Sequence, residues 1–179
     1  MSENIKKEIF EWVKVIITAL ILAFVITIFI IPSRVYGVSM FPTLHENDYL
    51  IVNRMTYKFR EPEMKDIIVF KSGIPQDDGK SKKDLVKRVI GVEGDHIKIQ
   101  DSNVYVNDKL LDEKVYTHDN YTSGDIDITV PKGKLFAMGD NRERSKDSRA
   151  QEVGLVDEDS VIGKVMIRLY PFDKIGGVE

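Results

Sequence analysis

From Val15 to Ile31 every residue is apolar except Thr18 and Thr27. As a helix this run is about 26 Å long, close to the lower limit for crossing a bilayer core. Pro32 follows, and with no N–H to donate it is expected to end the helix. Lys14 can extend its ammonium to one interface, and Trp12 and Tyr36 suit the two interfacial zones. A cleavable leader has an apolar region of roughly 7–15 residues before a small-x-small site. This run is longer, and Val35-Tyr36-Gly37 makes a poor site. A buried core helix would need an amphipathic pattern, which the run lacks. It reads as a retained membrane anchor.

Beyond Pro32 the pattern changes from continuous to short and alternating. Apolar, β-branched runs recur at Tyr49–Val52, Ile67–Phe70, Leu85–Val86, Val89–Ile90, Ile97–Ile99, Val104–Val106, Ile126–Val130, Leu135–Met138 and Val161–Tyr170. Glu93-Gly94-Asp95 and Asn107-Asp108 supply residues that tolerate tight turns, and Val104–Leu111 reads as a hairpin. Lys71–Asp84, rich in Gly, Pro, Ser and charge, reads as a loop. The pattern predicts a mostly β, antiparallel domain of folded sheets or barrel-like form. The expected division is 1–14 as a cytoplasmic N-terminus, 15–32 as the transmembrane anchor and 33–179 as an extracytoplasmic domain. A smaller β lobe is expected at about 95–134.

Charge sets the expected orientation. Lys6, Lys7 and Lys14 precede the anchor and only Arg34 follows it closely, which favours a cytoplasmic N-terminus. Arg54, Lys58 and Arg60 reduce the contrast in a wider window. The net charge of −3 and the lack of a basic stripe argue against a nucleic-acid function. Lys80, Lys82 and Lys83 read as part of a solvated loop. With no cysteine, disulfides, a thiol nucleophile and thiolate metal sites are excluded.

Three segments carry candidate chemistry. Gly37-Val38-Ser39-Met40-Phe41 sets a serine in a small-residue turn just outside the anchor. A serine hydroxyl needs a base. His45, His96 and His118 lie in no recognisable triad or metal-binding pattern. Lys87, in Leu85–Ile90, shares a strand face with Leu85 and Val89, and Arg88 points the other way. An apolar face would desolvate Lys87 and disfavour its ammonium form. Lowering a pKa of about 10.4 by about two units costs roughly 3 kcal/mol and raises the neutral fraction about a hundredfold. Periodicity alone favours the other reading, a lysine reaching solvent from a half-exposed strand. The third segment is Gly139–Arg149.

Taken together, and in this order after one anchor, these segments resemble the motifs of type I (leader) signal peptidases, membrane-bound Ser-Lys proteases. The matching stretches are Gly37–Leu44 continuing through Asp48–Asn53, then Leu85–Gly91 with Gly94-Asp95, then Gly139-Asp140-Asn141 with Ser145, Asp147, Ser148 and Arg149. The resemblance implies a signal-peptidase-like fold, with Ser39 as nucleophile, Lys87 as general base and Ser145 hydrogen-bonded to the lysine. It implies a structural ion pair of Asp147 with Arg149 and a supporting role for Asp140. Arg142, Glu143, Arg144 and Lys146 are expected at the surface.

Gly37 stands where the Gram-negative form has a hydroxyl residue for the oxyanion. That glycine, the short chain and the single anchor resemble the Gram-positive form. Lysine at 87, rather than histidine, separates the chain from the endoplasmic-reticulum form. The implied activity is removal of signal peptides after small-x-small sites through an acyl-enzyme, without a cofactor. Val35, Met40, Leu44, Leu85 and Val86 are candidates for the substrate pockets, with core packing as their other reading. Secretory preproteins, the lipid bilayer and the secretion translocon are the implied partners. A non-catalytic preprotein binder, a self-cleaving regulator like the SOS-repressor autoproteases and a membrane-anchored ligand carrier are the alternatives. They fit the intact Ser39, Lys87 and Ser145, the anchor and the three motifs less well.

Overall fold

The apolar run folds into one helix, α1 (Glu3–Phe29), in the computed structural model, which describes residues 3–76, 79, 81–117 and 121–178. Within it Ile5–Phe29 is long and apolar enough to cross a membrane, at about 37 Å. Leu20 and Phe24 are among its many exposed apolar side chains, so among the described residues no protein face covers it. Lys14 pairs with Glu11 at 3.0 Å. The helix ends before Pro32. The chain passes directly into β1 (Ile30–Arg34), an edge strand, where a proline can sit without removing a ladder bond from the sheet interior.

The following elements are β2 (Tyr49–Asn53), α2 (Thr56–Phe59), β3 (Ile67–Pro75), β4 (Lys82–Gly91), β5 (His96–Gln100), β6 (Asn103–Val106), β7 (Lys109–Leu110) and α3 (Lys114–Thr117). Then come β8 (Ile126–Thr129), β9 (Lys134–Met138), β10 (Val156–Asp157), β11 (Val161–Tyr170) and β12 (Gly176–Gly177). Two antiparallel sheets result. The larger has the order β1-β2-β11-β3-β4-β9-β10, with β12 on β11; the smaller is β7-β6-β5-β8. The smaller sheet is inserted between β4 and β9.

The stretch expected as a loop from Lys71 to Asp84 is mostly strand. β3 runs on to Pro75 and β4 starts at Lys82, because Lys71 pairs with Asp84 and Pro75 with Lys82. Exposed strands tolerate polar residues, so composition misled here. Lys82 and Lys83 therefore begin β4, and Lys80 lies outside the described residues. The Val104–Leu111 hairpin forms as β6 and β7. Asn107 and Asp108 take φ of 52° and 63°, the paired left-handed values of a type I′ turn.

Alternation explains how β9 of the larger sheet packs into two cores. Leu135 and Ala137 face a core with Ile68, Phe70, Val89 and Val156. Phe136 and Met138 face the opposite way, into a core with Ile90 of β4 and Ile97, Ile99, Val104 and Val106 of the second sheet. A strand buried on both faces reads as an unbroken apolar run, as Leu135–Met138 does. A third core of Val35, Met40, Leu44, Leu50, Val52, Ile67 and Val165 supports the turn that carries Ser39.

Candidate active site

Ser39 lies in a turn between β1 and β2. Gly37 enters it at φ +79°, a left-handed value that costs other residues strain. Met40 and Leu44, fully buried, pin the turn to the core below, and the Leu44 amide donates to the Met40 carbonyl at 2.8 Å. Asn141 closes it from the far side. Its side-chain amide donates to the Val38 carbonyl at 3.0 Å, and its backbone N–H to the Ser39 carbonyl at 3.1 Å. Among the described residues no acceptor takes the Ser39 amide, which leaves that N–H available to an incoming oxyanion.

β4 brings Lys87 to this turn. Its Nζ is 2.7 Å from Ser39 Oγ and donates also to the Val86 carbonyl at 3.0 Å. The side chain is 2% exposed. Burial lowers its pKa to about 8, against the opposing pull of the Asp147 and Asp140 carboxylates, with Arg149 adding to the lowering. A neutral amine is therefore accessible near physiological pH, hydrogen-bonded to a serine hydroxyl.

The third segment frames the pair. Asp147, fully buried, accepts from Arg149 through both carboxylate oxygens at 2.8 Å and from the Gly139 amide at 3.0 Å. Burial alone would raise its pKa, but the bond and charge of Arg149 outweigh this and hold it below the ordinary carboxylate value. Gly139 has no room for a side chain. A Cβ there would stand 2.3 Å from both Ser145 Oγ and the Ser39 carbonyl oxygen. Ser145 does not bond Lys87. Its hydroxyl is buried and within bonding geometry of no acceptor, although it lies close enough to support the ionised Asp147. Lysine's two acceptors are already the Ser39 hydroxyl and the Val86 carbonyl.

On the opposite face of β4, Arg88 is also buried. It grips Asp140 through two bonds of 2.8 Å, and its guanidinium stacks 4.2 Å from the Tyr116 ring. Burial and the nearby Glu113 carboxylate raise the Tyr116 pKa to about 12. Arg142, expected at the surface, is 1% exposed. It donates to the Gly139 carbonyl at 3.1 Å and to Glu113 at 2.6 Å. The arm that leads from the smaller sheet is thus clamped onto the Gly139–Arg149 segment. Glu143 and Arg144 are exposed, as is Lys146, which pairs with Glu152.

A cleft of about 760 Å³ opens beside Ser39 and Lys87. Val35, Leu50, Val69, Leu85 and Val86 form its apolar part, and Ser33 and Asp84 stand at its far end. Val35, Leu85 and Val86 were legible as candidates. Met40 and Leu44 are not on the cleft; their side chains fill the core beneath the serine turn. In the sequence reading Asn141 and Leu50 lie in the matching motifs without a role, Arg88 is only turned away from Lys87, and the surface position expected for Arg142 is wrong. Among the histidines, His45 packs edge-on to Phe41 and His96 pairs with Asp127 in the smaller sheet. His118 lies outside the described residues. Among the described residues no cluster of His, Asp and Glu could hold a metal ion.

Comparison with known proteins places the chain in one family. The family described as "Signal peptidase, peptidase S26" matches residues 9–170. The chain is 37% identical to Signal peptidase IB of Staphylococcus aureus (strain COL), covering 94% of this chain and 93% of that one. It is also 37% identical to Signal peptidase I of Bacillus licheniformis, covering 97% and 95%. A crystal structure of a signal peptidase I from Enterococcus faecalis V583 is 30% identical. It superposes with a TM-score of 0.48, covering 59% of this chain and 97% of that one.

Proposed function

Because this chain belongs to the signal peptidase family, peptidase S26, we propose that it is a membrane-anchored serine endopeptidase. It removes signal peptides from secreted preproteins, with Ser39 as nucleophile and Lys87 as its base. The observation that carries this reading is the 2.7 Å contact between Lys87 Nζ and Ser39 Oγ in a buried setting.

In this mechanism neutral Lys87 takes the Ser39 proton as Oγ attacks the carbonyl carbon of the signal peptide's last residue. The developing oxyanion accepts from the Ser39 amide, with no side-chain donor at Gly37. Lys87, now an ammonium, protonates the leaving amine, which departs as the new N-terminus of the mature protein. Water then gives its proton to Lys87 and attacks the ester, which frees Ser39 and a carboxylate. Asp147 and Arg149 hold Gly139, and through it the wall behind Ser39. Ser145 packs against Gly139, where a Cβ would meet its Oγ, and so limits how far that wall can shift.

Substrate would lie extended in the cleft, since among the described residues β9 pairs with β4 only from Arg88 onward, leaving Asp84–Lys87 without a strand on that side, and β1 is a sheet edge. The shallow apolar surface of Val35, Leu50, Val69, Leu85 and Val86 suits small side chains at the first and third positions before the cut. The anchor α1 sets the domain against the bilayer from which a signal peptide emerges. Lys6, Lys7 and Lys14 favour a cytoplasmic N-terminus and an external catalytic part. The bilayer and a translocon delivering preproteins are the partners this reading implies.

The test is cleavage of a preprotein bearing an Ala-x-Ala site by detergent-solubilised wild type, Ser39→Ala and Lys87→Ala proteins. A cut after that site by wild type alone supports the reading. Binding without a cut by any of them would instead make the chain a preprotein-binding homologue.

A further inference from the structure

The cleft beside Ser39 continues past its far end. Ser33 of β1, Val69 of β3 and Asp84 of β4 line both the cleft and a second groove of about 860 Å³. Alternation along β1 orders the two spaces, because Ile31, Ser33 and Val35 share one face. Val35 lines the cleft alone, Ser33 lines both, and Ile31 lines the second groove alone. Thr27 and Ile28, from the last turns of α1, form one wall of that groove, and Ser160–Ile162 form another. Going from Val35 to Ile31 covers about 13 Å, the length of about four extended residues.

We propose that this groove is a further part of the substrate site. It receives the stretch of signal peptide upstream of the small-x-small positions, where the apolar helix gives way to an extended segment, and packs it against α1. The proposal rests on the signal peptidase reading above.

Three observations converge on that occupant. The groove is continuous with the cleft, so one extended chain can thread both. It leads away from Ser39 toward the end of the anchor helix, and the upstream side of a signal peptide is the apolar side that resides in the bilayer. Its charge is balanced: Arg54, Lys58 and Lys71 stand with Asp84, Glu158 and Asp159 around the half-exposed apolar surface of Ile28, Ile31, Val69 and Val161. A balanced rim suits an uncharged peptide segment better than an anionic lipid headgroup, which would favour an excess of cations. The anchor is then part of the binding surface as well as a tether.

The full-length protein in lipid vesicles tests this, and the absence of native cysteine lets single cysteines report contacts. Ile28→Cys, combined with Ser39→Ala to keep the preprotein whole, should form a disulfide with a preprotein cysteine about six residues before the cut and not with one deep in the apolar stretch. Thr27→Trp and Ser160→Trp, from two different segments lining the groove, should each raise KM about tenfold for the whole preprotein. Both should leave cleavage of a short peptide beginning about three residues before the cut unchanged. Failure of the disulfide with an otherwise cut preprotein, or equal losses on both substrates, would overturn the proposal. A wild type that cuts neither substrate would bring down the signal peptidase reading itself, and the proposal with it.

Discussion

Lys87 Nζ and Ser39 Oγ meet at 2.7 Å although 48 residues separate them in the chain. The meeting depends on two independent pieces of architecture. Strand alternation turns Lys87 toward the turn and Arg88 away from it. Met40, Leu44 and Asn141 fix the turn so that the serine hydroxyl, and not a neighbour, faces the amine.

The first consequence is a pH–rate profile. The active form carries a neutral Lys87, whose pKa is about 8. kcat/KM should therefore fall about tenfold per pH unit below that value and level off above it. Preprotein cleavage measured across the neutral and alkaline range checks this. A profile flat from the acid side through pH 8 would exclude Lys87 as the base.

The same burial has a stability cost with a definite sign. In the unfolded chain Lys87 holds its proton up to about 10.4, and in the folded protein only up to about 8. Between those values the unfolded state binds more protons, so stability rises with pH across that window. Below it the buried ammonium costs up to about 3 kcal/mol. Lys87→Met should be more stable than wild type near pH 7 by up to that amount, less what its lost contacts contribute. The difference should shrink as pH rises through the window. Urea unfolding of both proteins in the same detergent, at several pH values, measures it.

Asp147→Asn should act on both stability and titration. It leaves Arg149 without its carboxylate, a loss of about 3–5 kcal/mol for a broken buried pair. It also removes a negative charge that holds the Lys87 pKa up, so the acid limb of the rate profile should move to lower pH. The depressed Asp147 pKa makes its stabilisation fully present above the unfolded carboxylate value and lost as pH falls through the folded one. Acid unfolding of wild type and Asp147→Asn should converge at the lowest pH. A limb that stays in place would show that Asp147 does not act on Lys87.

Two glycines near the serine should respond oppositely to alanine. At Gly139 the added Cβ meets the Ser39 carbonyl oxygen at 2.3 Å, and that backbone cannot retreat without moving the nucleophile. Gly139→Ala should reduce kcat by about a hundredfold. At Gly37 a Cβ meets nothing within 4 Å, but φ is +79°. Gly37→Ala should cost about 1 kcal/mol of stability and leave activity within a few-fold. Steady-state kinetics and thermal unfolding of the two variants separate these effects.

What could be read from the chain follows a physical division. Apolar runs report their own burial, so α1 and the strands from β2 to β11 were largely visible, and alternation set Lys87 on the face with Leu85 and Val89. Polar segments conceal their structure. Lys71–Pro75 and Lys82–Asp84 are strands whose exposed positions gave no apolar signal, and Pro32 marked an edge strand where a helix end was expected. Buried charges were the least legible. Arg88 and Asp140 lie 52 residues apart, and Arg142 and Glu113 lie 29 apart. Nothing local distinguishes such an arginine from a surface one until its partner is in place. For the same reason Met40 and Leu44 could be core or pocket from sequence alone, and the fold makes them core.

The most direct test of the Ser39–Lys87 account is to trap the acyl-enzyme. Wild type, Ser39→Ala and Lys87→Met proteins are mixed with a preprotein, quenched in acid within the first turnover, digested and analysed by mass spectrometry. The account predicts a signal-peptide ester on Ser39 in wild type and no ester in either variant. An ester on another residue, or cleavage that persists in Ser39→Ala, would contradict it.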